Sequence, residues 1–184
     1  MKRSVVAIIA VVSMILISVG VTVAMLLAAS QPVVNTFTVG HVQVSLSETT
    51  GENYLLIPGT TQPKDPMLTV KAGSERCWLF FKLEKSPEFD NYVTYTVEEG
   101  WAPLDGYPNV YYRPVNKVGA DTGFALLQDN RVFIHETLTE QLLANLEEAP
   151  PKITFTGYAA QRDGVATAQQ AWQQVLKEGG QLHD

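Results

Sequence analysis

A mainly β fold, a two-sheet antiparallel sandwich with two short helices behind an N-terminal export segment, follows from three features of this 184-residue chain. From Thr36 onward, β-branched and aromatic runs alternate with Gly, Pro, Asn and Asp, the punctuation of short strands. Their spacing suits two packed sheets. Only two stretches, 139–146 and 165–177, carry apolar residues at helical intervals. A single cysteine, Cys77, cannot form an intrachain bridge, so an apolar core must hold the domain together.

The first 30 residues stand apart. They hold 22 apolar residues, no acid, no aromatic, and only Lys2 and Arg3 as charges. A basic start followed by an apolar run over 5–29 is the pattern of a secretory signal. At about 1.5 Å per residue the run could also span a bilayer as a retained anchor. Small residues at −3 and −1 in Thr22-Val23-Ala24 and in Ala28-Ala29-Ser30 allow cleavage after Ala24 or after Ser30. The membrane is met only through this segment. Residues 31–184 then form one domain with 11 basic and 19 acidic side chains, a net charge of −8. That balance argues against nucleic acid as a partner, because phosphate binding needs a surplus of Lys and Arg on one face.

Along the domain, strands are expected over 36–46, 53–57, 67–70, 77–85, 92–98, 110–115, 123–127, 131–137 and 152–159. In the first, Phe37 and Val39 share one parity and Val42, Val44 and Leu46 the other, so a kink is expected at Gly40-His41. Over 77–85, Cys77, Leu79, Phe81 and Leu83 fall on one face. Trp78 and Phe80 share the opposite face with Lys82 and Glu84, and two aromatics on a nominally wet face need a cover. Thr139 is the expected N-cap of a helix with Leu142, Leu143 and Leu146 on one stripe, ended by Pro150-Pro151. Asp163 is the expected cap of a C-terminal helix with Ala168, Trp172, Val175 and Leu176 on its apolar side and Gln169, Gln170, Gln173 and Gln174 elsewhere.

Motifs for catalysis are missing. His41, His135 and His183 are scattered, and His135-Glu136 lacks a second histidine four residues on, where Thr139 stands. No Gly-x-Ser-x-Gly elbow occurs, and Gly73-Ser74 reads as a turn. Glu88, Asp90 and Asn91 approach a calcium loop without its spacing. Cys77 lies in the run Cys77-Trp78-Leu79-Phe80-Phe81 and reads as a buried small hydrophobe. No catalytic, cofactor or metal site is therefore assigned.

The ordered set Asn35-Thr36-Phe37-Thr38-Val39-Gly40, Ile57-Pro58-Gly59, Lys64-Asp65-Pro66, Val70-Lys71-Ala72-Gly73-Ser74-Glu75 and Cys77 resembles the secreted TasA/camelysin-like proteins. So do Ile153-Thr154-Phe155-Thr156-Gly157-Tyr158-Ala159 and Ala168-Gln169-Gln170-Ala171-Trp172. The resemblance covers nearly the whole chain. It implies a jelly-roll-like sandwich from Gram-positive bacteria, cleavage after Ala24 by a SipW-type signal peptidase, and extracellular fibres of a biofilm matrix or of a cell-surface or spore-associated layer. Some relatives carry the name camelysin for a metalloprotease activity; the missing zinc motif keeps that activity from being carried over. The ending Gly179-Gly180-Gln181-Leu182-His183-Asp184 has no wall-sorting motif, which argues against covalent wall attachment by that route.

The leading expectation is a secreted structural subunit that polymerises head-to-tail with itself, with or without an accessory assembly protein. Its assembly strand would be the segment 31–39, with Val33, Val34, Phe37 and Val39 filling pockets on the next subunit. Trp78 and Phe80 are the surface expected to be covered, either during assembly or by the C-terminal helix with Trp172. The alternatives are a secreted camelysin-like metalloprotease and a monomeric binding protein at the cell surface.

Overall fold

A computed structural model describes residues 36–39, 41–50, 56–139, 142 and 150–179, and these are mainly β. The strands are β1 (Thr36–Val39), β2 (Val44–Ser47), β3 (Thr61–Pro63), β4 (Met67–Val70), β5 (Cys77–Lys85), β6 (Val93–Thr94), β7 (Ala102–Pro103), β8 (Val110–Val115), β9 (Thr122–Ala125), β10 (Arg131–Ile134) and β11 (Ile153–Gln161). Helix α1 (Phe89–Tyr92) is a single turn, and α2 (Ala168–Gly179) follows the last strand. Among the described residues no helix is long and apolar enough to cross a membrane. The export segment 1–30, with both cleavage positions, lies outside the described residues.

Five strands form one sheet in the order β1-β11-β5-β8-β7. The others form two three-stranded sheets, β2-β4-β9 and β3-β10-β6. These two are parts of one broken layer, because Leu126 N–H donates to Pro66 and Lys64 N–H donates to the Asn130 carbonyl, carrying the β4–β9 ladder into β3–β10. Every pairing is antiparallel except β1 with β11. Leu79, Phe81, Leu83, Phe155 and Ala159 from the large sheet share a core with Leu46, Leu68, Val70, Val132 and Ile134 from the smaller ones.

The centre of the molecule is the β5–β11 pair, in register over nine residues from Cys77↔Gln161 to Lys85↔Ile153. The alternation expected over 77–85 is observed: Cys77, Leu79, Phe81 and Leu83 join the shared core, and Trp78 and Phe80 face the other way. In mid-strand, Gly157 lies opposite Phe81, and a Cβ there would stand 2.5 Å from Leu68 Cδ1. The glycine lets the other layer approach the β11 backbone.

Several expected boundaries shift. The stretch 36–46 is two strands in two sheets, so the chain changes layer between Val39 and Val44; Gly40, half of the expected kink, lies outside the described residues. Residues 56 and 57 are not strand, and 51–55 lie outside the described residues. The expected strand over 92–98 is β6 plus one bridge, Val97 with Leu127, because α1 takes up Tyr92. The cap of α2 is Thr167, whose Oγ1 accepts from Gln170 N–H at 3.2 Å. Asp163 is instead engaged by Arg76, and Arg162 N–H bonds the Arg76 carbonyl at 2.9 Å, which extends the β5–β11 ladder and delays the helix. The Thr139 cap is present, with Leu142 N–H donating to its Oγ1 at 3.2 Å, while most of that helix lies outside the described residues.

The loop after β2 is fixed by charge. Lys64 and Glu48 form an ion pair with both side chains almost fully buried. Asp65 accepts from Thr49 N–H at 2.9 Å, from Thr50 N–H at 3.0 Å and from the Thr49 hydroxyl. Burial raises the Asp65 pKa, but the hydrogen bonds from Thr49 and Thr50 outweigh it and hold the carboxyl at about 2 against an ordinary 3.8.

Three outcomes are expected from stability measurements. Asp65 is depressed in the folded state, so its contribution is complete above pH ~4 and is lost as pH falls toward ~2. Asp65→Asn should therefore remove about 1 kcal/mol at neutral pH, allowing for solvent screening, and flatten the acid limb of a urea-midpoint series. Gly157→Ala should cost about 1–3 kcal/mol by overpacking against Leu68; a melt unchanged within about one degree would show that Leu68 swings aside freely. Burial pushes the Cys77 thiol up to about 11, so reductant should leave the melting temperature unaltered. A large drop would mean that this thiol is bridged to something.

Candidate functional site

Among the described residues β1 occupies an edge of the five-stranded sheet, with β11 as its one neighbouring strand. The pairing is parallel, with Thr36↔Gly157, Phe37↔Tyr158, Thr38↔Ala159 and Val39↔Ala160 in register. A parallel ladder between distant parts of the chain has no hairpin turn to fix it, and the strand is set in place by this four-residue register together with contacts to the C-terminal helix and to β2. Of the four expected assembly residues, Phe37 and Val39 thus lie on a strand paired within its own chain. Val33 and Val34 lie outside the described residues, just ahead of it.

Trp78 and Phe80 are 8% and 0% exposed, and their cover is α2. The Trp172 ring lies 5.2 Å from Phe80, 5.0 Å from Tyr158 and 6.2 Å from Tyr107. Trp78 Nε1–H donates to the Val165 carbonyl at 3.2 Å. Ala168, Ala171 and Val175 complete the buried side of the helix, whereas Leu176, assigned to the same stripe by spacing, is exposed. α2 touches β1 as well as β11, so it packs across the β1–β11 seam. Of the two covers expected for these aromatics, the chain supplies the helix itself.

The other candidate residues do not converge. His135 sits just past β10 with its Nε2 2.7 Å from Thr94 Oγ1, and Glu136 is exposed beside it. His41 is exposed ahead of β2, and His183 lies outside the described residues. Among the described residues no three His, Cys, Asp or Glu side chains are grouped so as to hold a metal ion. Glu88 accepts from the Asn91 side chain, and Asp90 is bound by Lys85 at 2.7 Å, so both belong to the α1 turn. Ser74 is buried, and its hydroxyl bonds Gln43 N–H at 3.1 Å and the Gln43 carbonyl at 3.3 Å, which makes it a tie between layers.

Sequence reasoning missed one constellation. The Arg113 guanidinium lies 4.3 Å from the Phe124 ring centre and 5.4 Å from that of Trp101. Gly100, at φ +86°, leaves it room, since a Cβ there would stand 3.0 Å from Nη2. Burial lowers the Arg113 pKa, opposed by Glu98. The arrangement is a cation–π clamp joining β8 to β9, and only the lone arginine in an otherwise apolar strand signals it.

No family model, curated protein or solved structure matches the chain. The site is therefore read from its own geometry.

If His135 and Glu136 serve the fold alone, His135→Ala and Glu136→Ala should leave any peptidase activity of a purified preparation unchanged. Zinc bound one-to-one and lost together with activity in the His135 variant would establish a metalloprotease instead.

Proposed function

We propose that this chain is an exported structural subunit of extracellular fibres, in a biofilm matrix or a surface layer, that polymerises by passing β1 to the next subunit. The supporting observation is the place of β1. It is a four-residue edge strand, joined in parallel to β11 and separated from β2 by a crossing between layers. Withdrawing it leaves the nine-residue β5–β11 ladder in place. The vacated β11 edge then offers the same hydrogen bonds, in the same register, to β1 of a neighbour. Exchange of an identical element is a low-cost route to association, and a head-to-tail exchange that does not close yields a filament. In this reading the two layers are a jelly-roll-like sandwich. A SipW-type signal peptidase frees the segment by cleaving after Ala24, Val33 and Val34 extend the donated strand, and an accessory protein can start growth.

A disulfide between register partners tests the exchange directly. The Thr38→Cys/Ala159→Cys double variant, oxidised as monomer, should form no filaments in electron micrographs and should polymerise once reduced. Deleting residues 31–39 should leave a folded monomer that does not assemble, and Phe37→Asp should weaken assembly by placing a charge on the donated strand. Normal filaments from the locked or the deleted protein would sink the mechanism. Unfolding of the deleted protein would show that β1 is a fixed part of its own sheet.

A further inference from the structure

The outward face of β3, β10 and β6 carries an exposed aromatic ring. Register sets Thr61, Phe133 and Thr94 in one row across three strands. Phe133 is 38% exposed, while its neighbours Val132 and Ile134 turn into the core. Arg131 stands two residues from Phe133 and therefore on the same face. At this end of the row the turn Gln128–Asn130 rises as a wall, with Asp129 and Asn130 both left-handed at φ 54° and 52°. Two successive non-glycine residues in that region are strained, and such strain persists where surrounding structure imposes it. Asp129 and Arg131 form a 2.7 Å ion pair on the rim. Ring, hydroxyls, wall and ion pair line a cavity of about 330 Å³.

We propose that this cavity binds a neutral, β-linked glycan chain. An exposed aromatic ring on a sheet face offers apolar area to the C–H face of a sugar, and that area is the part of the site that water wets least favourably. Thr61, Thr94 and the Gln128 amide supply single donors and acceptors. The Asp129 carboxylate and the Arg131 guanidinium supply the paired oxygens and forked N–H groups that match vicinal hydroxyls. Because those two charges neutralise each other, the rim attracts neither anion nor cation, and the acidic domain as a whole repels polyanions. A chain with all-equatorial β-1,4 links is a flat ribbon that can lie along the Thr61–Phe133–Thr94 row, whereas an α-1,4-linked chain curves away from it. The volume accepts one sugar ring, leaving the rest of the chain on the open sheet face.

The test is calorimetric titration of the full chain with chitohexaose, a neutral β-1,4-linked hexamer, with maltohexaose as the α-linked control. Saturable binding to chitohexaose is expected, weakened at least about tenfold by Phe133→Ala. Asp129→Gly should weaken it similarly while leaving the melting temperature equal or higher, since glycine accepts the left-handed turn. A structural role alone would raise stability without touching affinity. No saturable heat up to about 5 mM chitohexaose, equal binding of maltohexaose, or affinity indifferent to both substitutions would overturn the proposal.

Discussion

β5 and β11 pair along nine residues, and this ladder is buried from both sides. A strand with one wet face needs only alternate apolar residues. Here both parities are occupied, by Leu79, Phe81 and Leu83 toward the other layer and by Trp78 and Phe80 toward α2. Burying a large side chain contributes about 1.5–3 kcal/mol, so the two faces of β5 alone outweigh what any loop ion pair can add. The rest is arranged around that constraint. Gly157 is bare because Leu68 comes down on β11, and α2 lies where it does because two aromatics had to be covered.

The same constraint separates what is fixed from what can move. α2 covers the outer aromatics through Trp172 but also reaches β1, so a helix required by the core touches a strand held by backbone pairing at an edge. β1 has no antiparallel hairpin to return it to its place, and its successor, β2, lies in the opposite layer. Loss of β1 from its edge therefore exposes a row of β11 backbone groups. An unpaired edge of that kind is a template for another strand, which natural sheets normally blunt or cover.

The strands that were legible in the sequence are those whose pattern is set by burial: 67–70, 77–85 and 110–115 match β4, β5 and β8 residue for residue. Those that were not are set by partners remote in sequence. β3 and β7 are short and contain Pro63 and Pro103, a residue that reads as a break, and they become strands only because β10 and β8 lie alongside. The parity change at Gly40-His41 was visible, yet its meaning was not, because alternation reports a change of face and not a change of sheet. Asp163 looked like a helix cap until Arg76, 87 residues away, claimed it. Of the candidate site, Phe37, Val39, Trp78 and Phe80 could be named from spacing, but that β1 pairs in parallel with the far end of the chain left no local trace. The outward row on β3, β10 and β6 was invisible for a similar reason, since Thr61, Thr94 and Phe133 meet only through register.

Strand exchange by itself supplies no driving force. The hydrogen bonds β1 gives up to its own β11 are those it makes to a neighbour's, so the net gain from pairing is close to zero. Association costs about 4–15 kcal/mol in lost translational and rotational freedom. Growth of the proposed fibre would then have to draw on contacts that exist only between neighbouring subunits, formed by surfaces around the seam rather than by the strand. Those surfaces belong to a domain with 11 basic and 19 acidic side chains over residues 31–184, so like charges meet as subunits approach. That repulsion reaches only about 8 Å at physiological ionic strength. It acts on bodies brought face to face and spares a strand that reaches ahead of its own domain. In the proposed fibre the strand would thus set which surface meets which and in what register, while the energy holding the filament together would lie in the flanking contacts and in how far salt and pH relieve the charge.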